Sequence, residues 1–184
     1  MNKGSRVSAL RGDAGRSLIE VFICLAVIAL LLVSVMRAVQ EFNARQRVHA
    51  VAAAVYVDLQ QARSEAVRTA TTVHVSFVQH ASGSCYWMHS GKTDACSCNA
   101  DGQTVCQDSG TLIKAQWLPL PLSPQVKANV RRMTFQGHQG TVSTTGSIDI
   151  QLAHSPSIRH VVSIAGRVRT CSPDAARGAL PSCG

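Results

Sequence analysis

The chain has 184 residues, a formal net charge of +8 at pH 7 and a charged fraction of 15%. This length allows one globular domain with an appendage and excludes an array of several domains. The basic excess favours partners that carry negative charge.

The first predicted element is a membrane-spanning helix. In the apolar run of residues 18–36, Glu20 is the only charged residue. A helix needs about 20 such residues to cross a bilayer. The run is too long for the apolar part of a secretory signal peptide, and no small-residue cleavage motif follows it. Lys3, Arg6 and Arg11 precede it, which favours a cytoplasmic N-terminus, while Arg37, Arg45 and Arg47 follow it on the other side.

Glu20 needs a partner, because an unpaired carboxylate in hydrocarbon costs about 2.5 kcal/mol or more. One alternative is local, since Ser17 and Glu20 have the spacing of a capping box that satisfies the first amides of the helix. The other partner is a new α-amino group, which cleavage after Gly15 would create at Arg16. The two alternatives are compatible.

The sequence GRSLIEV, followed by a long apolar helix, resembles the type IV prepilin signature. In that family a peptidase removes a short basic leader on the cytoplasmic side, and the new N-terminus is methylated. The helix then stays in the inner membrane until filament assembly. The resemblance implies cleavage between Gly15 and Arg16, N-methylation of Arg16, and pairing of Glu20 with the N-terminal amine of a neighbouring pilin. Arg16 departs from the phenylalanine that is usual at this position.

The helix is predicted to continue to about residue 68. Apolar residues recur on one stripe with a period of 3.6 residues, and their small size favours packing against a sheet over a coiled-coil seam. Asp58, Arg63 and Arg68 are assigned to positions off this stripe. The stripe consists of Val48, Val51, Ala52, Val55, Leu59, Ala62 and Ala66.

The remainder is predicted to be antiparallel β structure. Its candidate strands are separated by Gly, Pro and Asn clusters. The polar region 83–110 is interpreted as a surface loop stapled by cysteines. The strand candidates are TVHVSFV, CYWMH, TLIKAQWL, VRRMTF, SIDIQLA and IRHVVSIAGRVR.

Six cysteines after the helix predict disulfides in an oxidising compartment. The alternative is zinc, but Cys96-Ser97-Cys98 lacks the usual C-x-x-C spacing, and neither a metal nor a cofactor is expected. Cys171 is expected to bond with Cys183, whereas the connectivity of the other four stays open. Cys24 is expected to be an apolar filler in the helix. The six are Cys85, Cys96, Cys98, Cys106, Cys171 and Cys183.

A spine helix followed by antiparallel strands, with the segments GTVSTTGSIDIQL and IRHVVSIAGRVRTCSP, resembles the GspH/FimT family of minor pilins and pseudopilins. The resemblance implies an α+β, type IV pilin-like fold in which the helix packs on antiparallel β-sheets with disulfide-stapled loops. It divides the chain into a cleaved leader (1–15), a membrane and assembly segment (16–41) and a periplasmic or extracellular domain (42–184). Some members bind DNA through a C-terminal Gly-Arg-x-Arg motif, which matches Gly166, Arg167 and Arg169.

Charge is distributed unevenly along the predicted domain. Residues 42–108 carry five basic and five acidic residues, whereas residues 109–184 carry eight basic and two acidic residues. The asymmetry favours a polyanionic partner, the alternative being a solvated basic face. Arginine suits phosphate because its planar fork donates two hydrogen bonds. Arg167 and Arg169 would project from one face of a strand, and the further candidates for DNA contact are Arg159, Arg131 and Arg132.

The sequence contains none of the common catalytic motifs, so an enzyme is not expected. His138, His154 and His160 are interpreted as surface or strand residues, and His160 would add charge beside Arg159 at low pH.

Two functional hypotheses remain. The first is a minor pilin of a type IV pilus that binds DNA without sequence preference and supports natural transformation. The alternative is a structural tip or priming subunit of a pilus or a type II secretion pseudopilus. The expected partners are other pilins, the prepilin peptidase, the inner membrane and DNA.

A Gly15→Arg variant is expected to accumulate as a full-length precursor in the membrane, because the peptidase needs a small residue before the scissile bond. Immunoblotting of membrane fractions measures the length of the product. Glu20→Ala is the control: it should be cleaved but poorly incorporated into filaments, because the partner of the acid lies in another subunit. Mature-length protein from Gly15→Arg would reject the prepilin assignment.

Overall fold

The computed structural model describes residues 17–107, 110–153, 155–174 and 180–183. The predicted cleavage site at Gly15 and Arg16 lies outside these residues, as does His154. The chain divides into two compact units, Met1–Gln40 and Glu41–Gly184, and each is described by itself.

A single helix, α1, spans Leu18–Thr69, close to its predicted bounds. Its first hydrogen bonds run from the backbone N of Glu20 and Val21 to the carbonyl of Ser17 (2.9 and 3.3 Å), so Ser17 occupies the N-cap position. The side-chain bonds of the predicted capping box are absent among the residues that the structure describes. The helix contains an 18-residue window of mean hydropathy 3.0, long and apolar enough to cross a membrane.

In the second unit, α1 buries the stripe that its 3.6-residue period predicts. Six of the seven positions are buried and Val51 is half-buried. They join residues of two β-sheets in one core cluster, so the stripe packs on sheets as predicted. The buried members are Val48, Ala52, Val55, Leu59, Ala62 and Ala66.

The strands form two four-stranded antiparallel sheets and one two-stranded ribbon. In chain order they are β1 (Val73–His80), β2 (Gly83–Gly91), β3 (Cys96–Cys98), β4 (Thr104–Cys106), β5 (Gly110–Pro119), β6 (Gln125–Ala128), β7 (Arg132–Phe135), β8 (Gly146–Gln151), β9 (Ile158–Val162) and β10 (Val168–Cys171). The first sheet has the order β5-β2-β1-β7, the second has the order β10-β9-β8-β6, and β3 pairs with β4.

The two faces of the first sheet contact different partners. One face, which includes Val75 and Met88, packs in the core with α1. The other face, which includes Cys85 and Trp87, packs against the cysteine-rich segment 92–107. The disulfide Cys85–Cys98 holds this segment on the sheet, and the disulfide Cys96–Cys106 joins β3 to β4 within the segment. The predicted stapled loop is therefore shorter than expected, because residues 83–91 form β2 and the loop itself contains the β3–β4 ribbon.

The second sheet also packs its inner face in the core with α1. Ile148, Ile150 and Val162 lie on that face and are buried. The predicted segment IRHVVSIAGRVR is two strands, because the chain turns between β9 and β10. Strand β6 was not predicted, since four residues are too few to show a period. A third disulfide joins Cys171 to Cys183.

Asp58, which was assigned to a position off the apolar stripe, is buried in the core with 1% of its surface exposed. Its carboxylate accepts hydrogen bonds from the Tyr86 hydroxyl (2.8 Å) and from Nζ of Lys114 (2.6 Å). Burial and the bond to Asp58 raise the pKa of Tyr86. A charged group can lie inside the core because these two strand residues satisfy its oxygens.

His160 is expected from the sequence to lie beside Arg159 and add charge at low pH, but the structure places the two side chains on opposite faces of β9. The ring is buried on the inner face of β9, whereas Arg159 lies on the opposite face. Its Nε2 donates to the carbonyl of Ala52 (2.9 Å) and its Nδ1 lies 2.9 Å from Oγ1 of Thr170. Burial lowers the pKa of His160, which disfavours the charged form of the ring.

Two more histidines are buried opposite each other on β1 and β2. His74 pairs in register with His89, and their ring centroids are 5.1 Å apart. Nδ1 of His74 bonds to Oγ1 of Thr134 (3.1 Å), but neither ring nitrogen of His89 makes a hydrogen bond of ordinary geometry to the described residues. Burial is the main reason that the pKa values of His74 and His89 are lowered.

Lowering the pH from about 7.5 to about 5 is expected to lower the free energy of unfolding. The pKa values of His74, His89 and His160 are lowered in the folded chain, so below the ordinary value of 6.5 the unfolded chain binds protons that the folded chain does not. Each of the three adds a slope of up to about 1.4 kcal/mol per pH unit. Urea unfolding of the full chain in a neutral detergent, followed by tryptophan fluorescence, measures the effect.

Two variants separate the contributions to this slope. His89→Leu should reduce the slope of the unfolding free energy against pH. It should cost little stability at neutral pH, because the His89 ring makes no ordinary hydrogen bond. His160→Leu should also reduce the slope, but it should lower stability at every pH, because it loses the bond to Ala52. An unchanged slope in His89→Leu would contradict this account.

Candidate nucleic-acid interface

The Gly-Arg-x-Arg sequence lies where the hairpin turns from β9 into β10. Val162 pairs with Val168 at the base of the turn. The backbone N of Ser163 donates to the carbonyl of Arg167 (3.0 Å), and the N of Gly166 donates to the carbonyl of Ser163 (2.9 Å). The Ser163 hydroxyl accepts a third bond from the N of Arg167 (3.2 Å). These bonds fix the backbone on which the arginines stand.

Only glycine fits at position 166. Its φ of 71° lies in the left-handed region that side chains disfavour. A Cβ at Gly166 would also lie 2.4 Å from the carbonyl oxygen of Gly140, which belongs to the neighbouring turn. The glycine of the motif therefore has a structural role, namely close packing of the hairpin on that turn.

The two arginines of the motif point into solvent. Arg167 and Arg169 are exposed, while Val168 between them is half-buried against the core. Residues two apart in an extended chain are about 6.5–7 Å apart on one face. Neither arginine side chain bonds or pairs with any other residue in the described parts of the chain. Both guanidinium groups are therefore available to an external anion.

Arg159 lies on β9, next to β10, but it is paired within the sheet. Its Nε and Nη2 donate to the two carboxylate oxygens of Asp149 on β8 (2.6 and 2.8 Å). The hydrogen bonds to Asp149 raise the pKa of Arg159 further. Phosphate would have to compete with this carboxylate, so Arg159 is a weaker candidate than its two neighbours on the hairpin.

Arg131 and Arg132 lie elsewhere, at the start of β7 in the first sheet. Arg132 bonds to the hydroxyl of Ser76 (3.3 Å) and forms an ion pair with Asp94 of the cysteine-rich segment. Arg131 is exposed. Of the predicted contacts, the structure therefore brings together Gly166, Arg167 and Arg169, with Arg159 on the adjacent strand.

Arg63 of α1 is a neighbour of the hairpin that the sequence did not indicate. Its Nε donates to the carbonyl of Gly140 (3.2 Å), and its side chain also lies beside Gly166. A separation of 77 residues from Gly140 leaves no local pattern that could have revealed the contact. Only the packing of the helix on the sheets brings these residues together.

Comparison with known proteins identifies the family. The profile of the family described as Type II transport protein GspH matches residues 51–166. The chain belongs to this family. The GspH match covers α1 from Val51 to its end and the strands up to β9, and it ends at Gly166, so Arg167 and Arg169 lie just beyond it.

Two solved structures resemble this GspH-family chain. They are crystal structures of the type IV minor pilin FimU from Pseudomonas aeruginosa in space groups P21 and P65, each 18% identical in sequence. The first has a TM-score of 0.51 and covers 72% of this chain and 97% of its own. The second has a TM-score of 0.48 with coverages of 68% and 97%, and no argument rests on it.

At 18% identity, the likeness to the first FimU structure concerns the fold. The predicted pilin-like α+β fold is confirmed, and so is the assignment to the GspH/FimT type of minor pilin. A search of curated proteins finds no matching sequence.

Gly166→Ala is expected to destabilise the GspH-family domain and to displace the hairpin. A left-handed conformation costs a side-chain-bearing residue about 1–3 kcal/mol, and the contact with Gly140 adds to this. Gly91→Ala is the control, because Gly91 also has a positive φ (101°) but no described atom lies in the way of a Cβ. Urea unfolding measures both. Equal losses in the two variants would show that the close approach to Gly140 costs nothing.

Proposed function

We propose that this GspH-family chain is a minor pilin of a type IV pilus that binds DNA through Arg167 and Arg169 and supports DNA uptake in natural transformation. The observation that carries the proposal is this pair of exposed guanidinium groups without a carboxylate partner among the described residues. They stand on a hairpin whose backbone is fixed by hydrogen bonds on both sides of Gly166.

The chemistry of the two arginines favours the phosphate backbone as the ligand. A guanidinium keeps its charge at every physiological pH and donates two parallel hydrogen bonds to a phosphate. Hydrophobic exposure near the motif comes from Val161 and Ile164, and no exposed aromatic residue stands in the hairpin to stack on a base. Contacts of this kind position a protein on DNA without reading its sequence.

The same proposal includes the processing and location of the chain. Prepilin peptidase cleaves between Gly15 and Arg16, Arg16 is methylated, and Glu20 pairs with the N-terminal amine of a neighbouring pilin. The apolar half of α1 anchors the precursor once in the inner membrane, with the second unit in the periplasm. The three disulfides support an oxidising compartment. The role is one of binding and assembly rather than catalysis.

A structural role without DNA is the second candidate. The family description names type II transport, which favours a pseudopilus subunit. Several basic residues of the domain also have internal acidic partners, as Arg159 and Arg132 do. In this case the arginines of the hairpin would contact other pilins at the tip of the filament.

Replacing both Arg167 and Arg169 by Gln is expected to weaken binding to all duplex sequences about equally. Each lost phosphate contact should reduce the slope of log K against log salt by about 0.9. Replacement by Lys should restore part of the affinity, because charge returns without the planar fork. Fluorescence polarisation of a labelled duplex with the full chain in neutral detergent measures these values, and uptake of DNA by cells carrying the variant tests the biological role.

The matched control is Arg47→Gln combined with Arg68→Gln. Both residues lie on α1 and are exposed, and their replacement removes the same formal charge; unlike the arginines of the hairpin, Arg68 pairs with a carboxylate, that of Glu65 (2.6 Å). Arg63 is unsuitable as a control because it contacts the turn beside Gly166. Equal loss of affinity in the two double variants would show that only the total positive charge matters for DNA binding, and not the position of Arg167 and Arg169. If the wild-type chain does not bind DNA at moderate salt, the proposed DNA binding is rejected and the structural role remains.

A further inference from the structure

The side chain of Arg63 reaches from α1 to two turns, the turn at Gly140 and the turn of the Gly-Arg-x-Arg hairpin at Gly166. Its Nε lies 3.2 Å from the carbonyl oxygen of Gly140 and donates to it. The backbone N of Val142, two residues further on, donates to the carbonyl of Ile164 in the hairpin (2.8 Å). The helix, the turn around residue 140 and the hairpin are therefore connected through hydrogen bonds.

Two glycines make room for Arg63. A Cβ at Gly140 would lie 3.1 Å from Nε of Arg63, and a Cβ at Gly166 would lie 3.0 Å from the same atom. Both glycines have a positive φ, 62° and 71°. The guanidinium of Arg63 therefore lies against Gly166, the residue that immediately precedes Arg167.

Most of the donors of Arg63 remain unused. A guanidinium has five N–H groups, and Arg63 commits one of them to Gly140. The terminal nitrogens Nη1 and Nη2 have no partner among the residues that the structure describes, and no carboxylate pairs with them there. The residue is half-buried, so this charge is less screened than that of a fully exposed arginine.

We propose that Arg63 is a third phosphate-binding arginine, which joins Arg167 and Arg169 in one site built from α1 and the β9–β10 hairpin. The inference rests on the proposed DNA binding and extends it. Nε holds the turn at Gly140 while Nη1 and Nη2 donate to the nucleic acid. Arg63 thus both binds phosphate and fixes the position of the hairpin.

The test compares Arg63→Gln with Arg47→Gln in the full chain in neutral detergent. Arg47 is the matched control because it also lies on α1 and also donates one hydrogen bond to a loop carbonyl, that of Leu122 (3.1 Å). It lies about 24 Å from Arg63 along the helix. Binding of a short labelled duplex is measured across a range of salt concentrations, and circular dichroism checks that each variant folds.

Arg63→Gln is expected to lower the affinity and to reduce the salt slope by about 0.9, whereas Arg47→Gln keeps the wild-type slope. Between about 50 and 200 mM salt, the wild type should then lose about 3.5-fold more affinity than Arg63→Gln. Arg63→Lys keeps the charge, so the salt slope should stay at the wild-type value. The affinity should fall, because lysine lacks the planar guanidinium fork.

Each of the other outcomes overturns either the phosphate contact of Arg63 or the proposed function. If Arg63→Gln binds like Arg47→Gln while the Arg167 and Arg169 double variant fails to bind, the third contact is wrong and the proposed function stands. A fall in affinity with an unchanged salt slope would make Arg63 purely structural, which also overturns the inference. If Arg63→Gln does not fold, Arg63→Lys decides, and an affinity equal to that of the wild type contradicts the proposal. Absence of binding by the wild type rejects the proposed function itself.

Discussion

The buried stripe of α1 contacts both four-stranded sheets, and the geometry of the second unit depends on this contact. Ala62 and Ala66 have no exposed surface, so the core residues that pack on the helix cover them fully. The two sheets do not share a strand; the helix packs on both of them, and β6 of the second sheet also contacts the first, where the backbone N of Val126 donates to the Ser84 hydroxyl (3.0 Å). Turns that are distant in sequence meet at its surface as a consequence.

Polar bonds specify how the helix is rotated within this core. The carboxylate of Asp58 is held by Tyr86 of the first sheet, and the carbonyl of Ala52 accepts from His160 of the second. A rotated helix would leave a buried charge unpaired, and losing a partner of a buried ion pair costs about 3–5 kcal/mol. Apolar packing alone would tolerate such a rotation more easily. The two bonds therefore favour the single orientation that carries Arg63 to the turn at Gly140.

The sequence predicts those features that follow from local periodicity. The apolar period of 3.6 residues predicts the buried side of α1, and alternation predicts most of the strands. It does not predict that Asp58 is buried, because its partners lie 28 and 56 residues away and only the fold brings them together. The pairing of Cys85 with Cys98 and the position of Arg63 are long-range in the same sense. For the site, the motif identifies the two exposed arginines but not the helix residue beside them.

The net charge of the C-terminal half of the sequence overstates the unpaired positive charge that this half presents after folding. Three of the eight basic residues after residue 108 form ion pairs, and two of their partners come from the charge-balanced half of the domain. The pairs are Lys114–Asp58, Arg132–Asp94 and Arg159–Asp149. The basic half is thus partly neutralised by folding, and net charge becomes a weak argument for a polyanionic partner. Local geometry is the stronger argument, because the turn at Gly166 directs Val168 into the core and leaves Arg167 and Arg169 without acidic neighbours among the described residues.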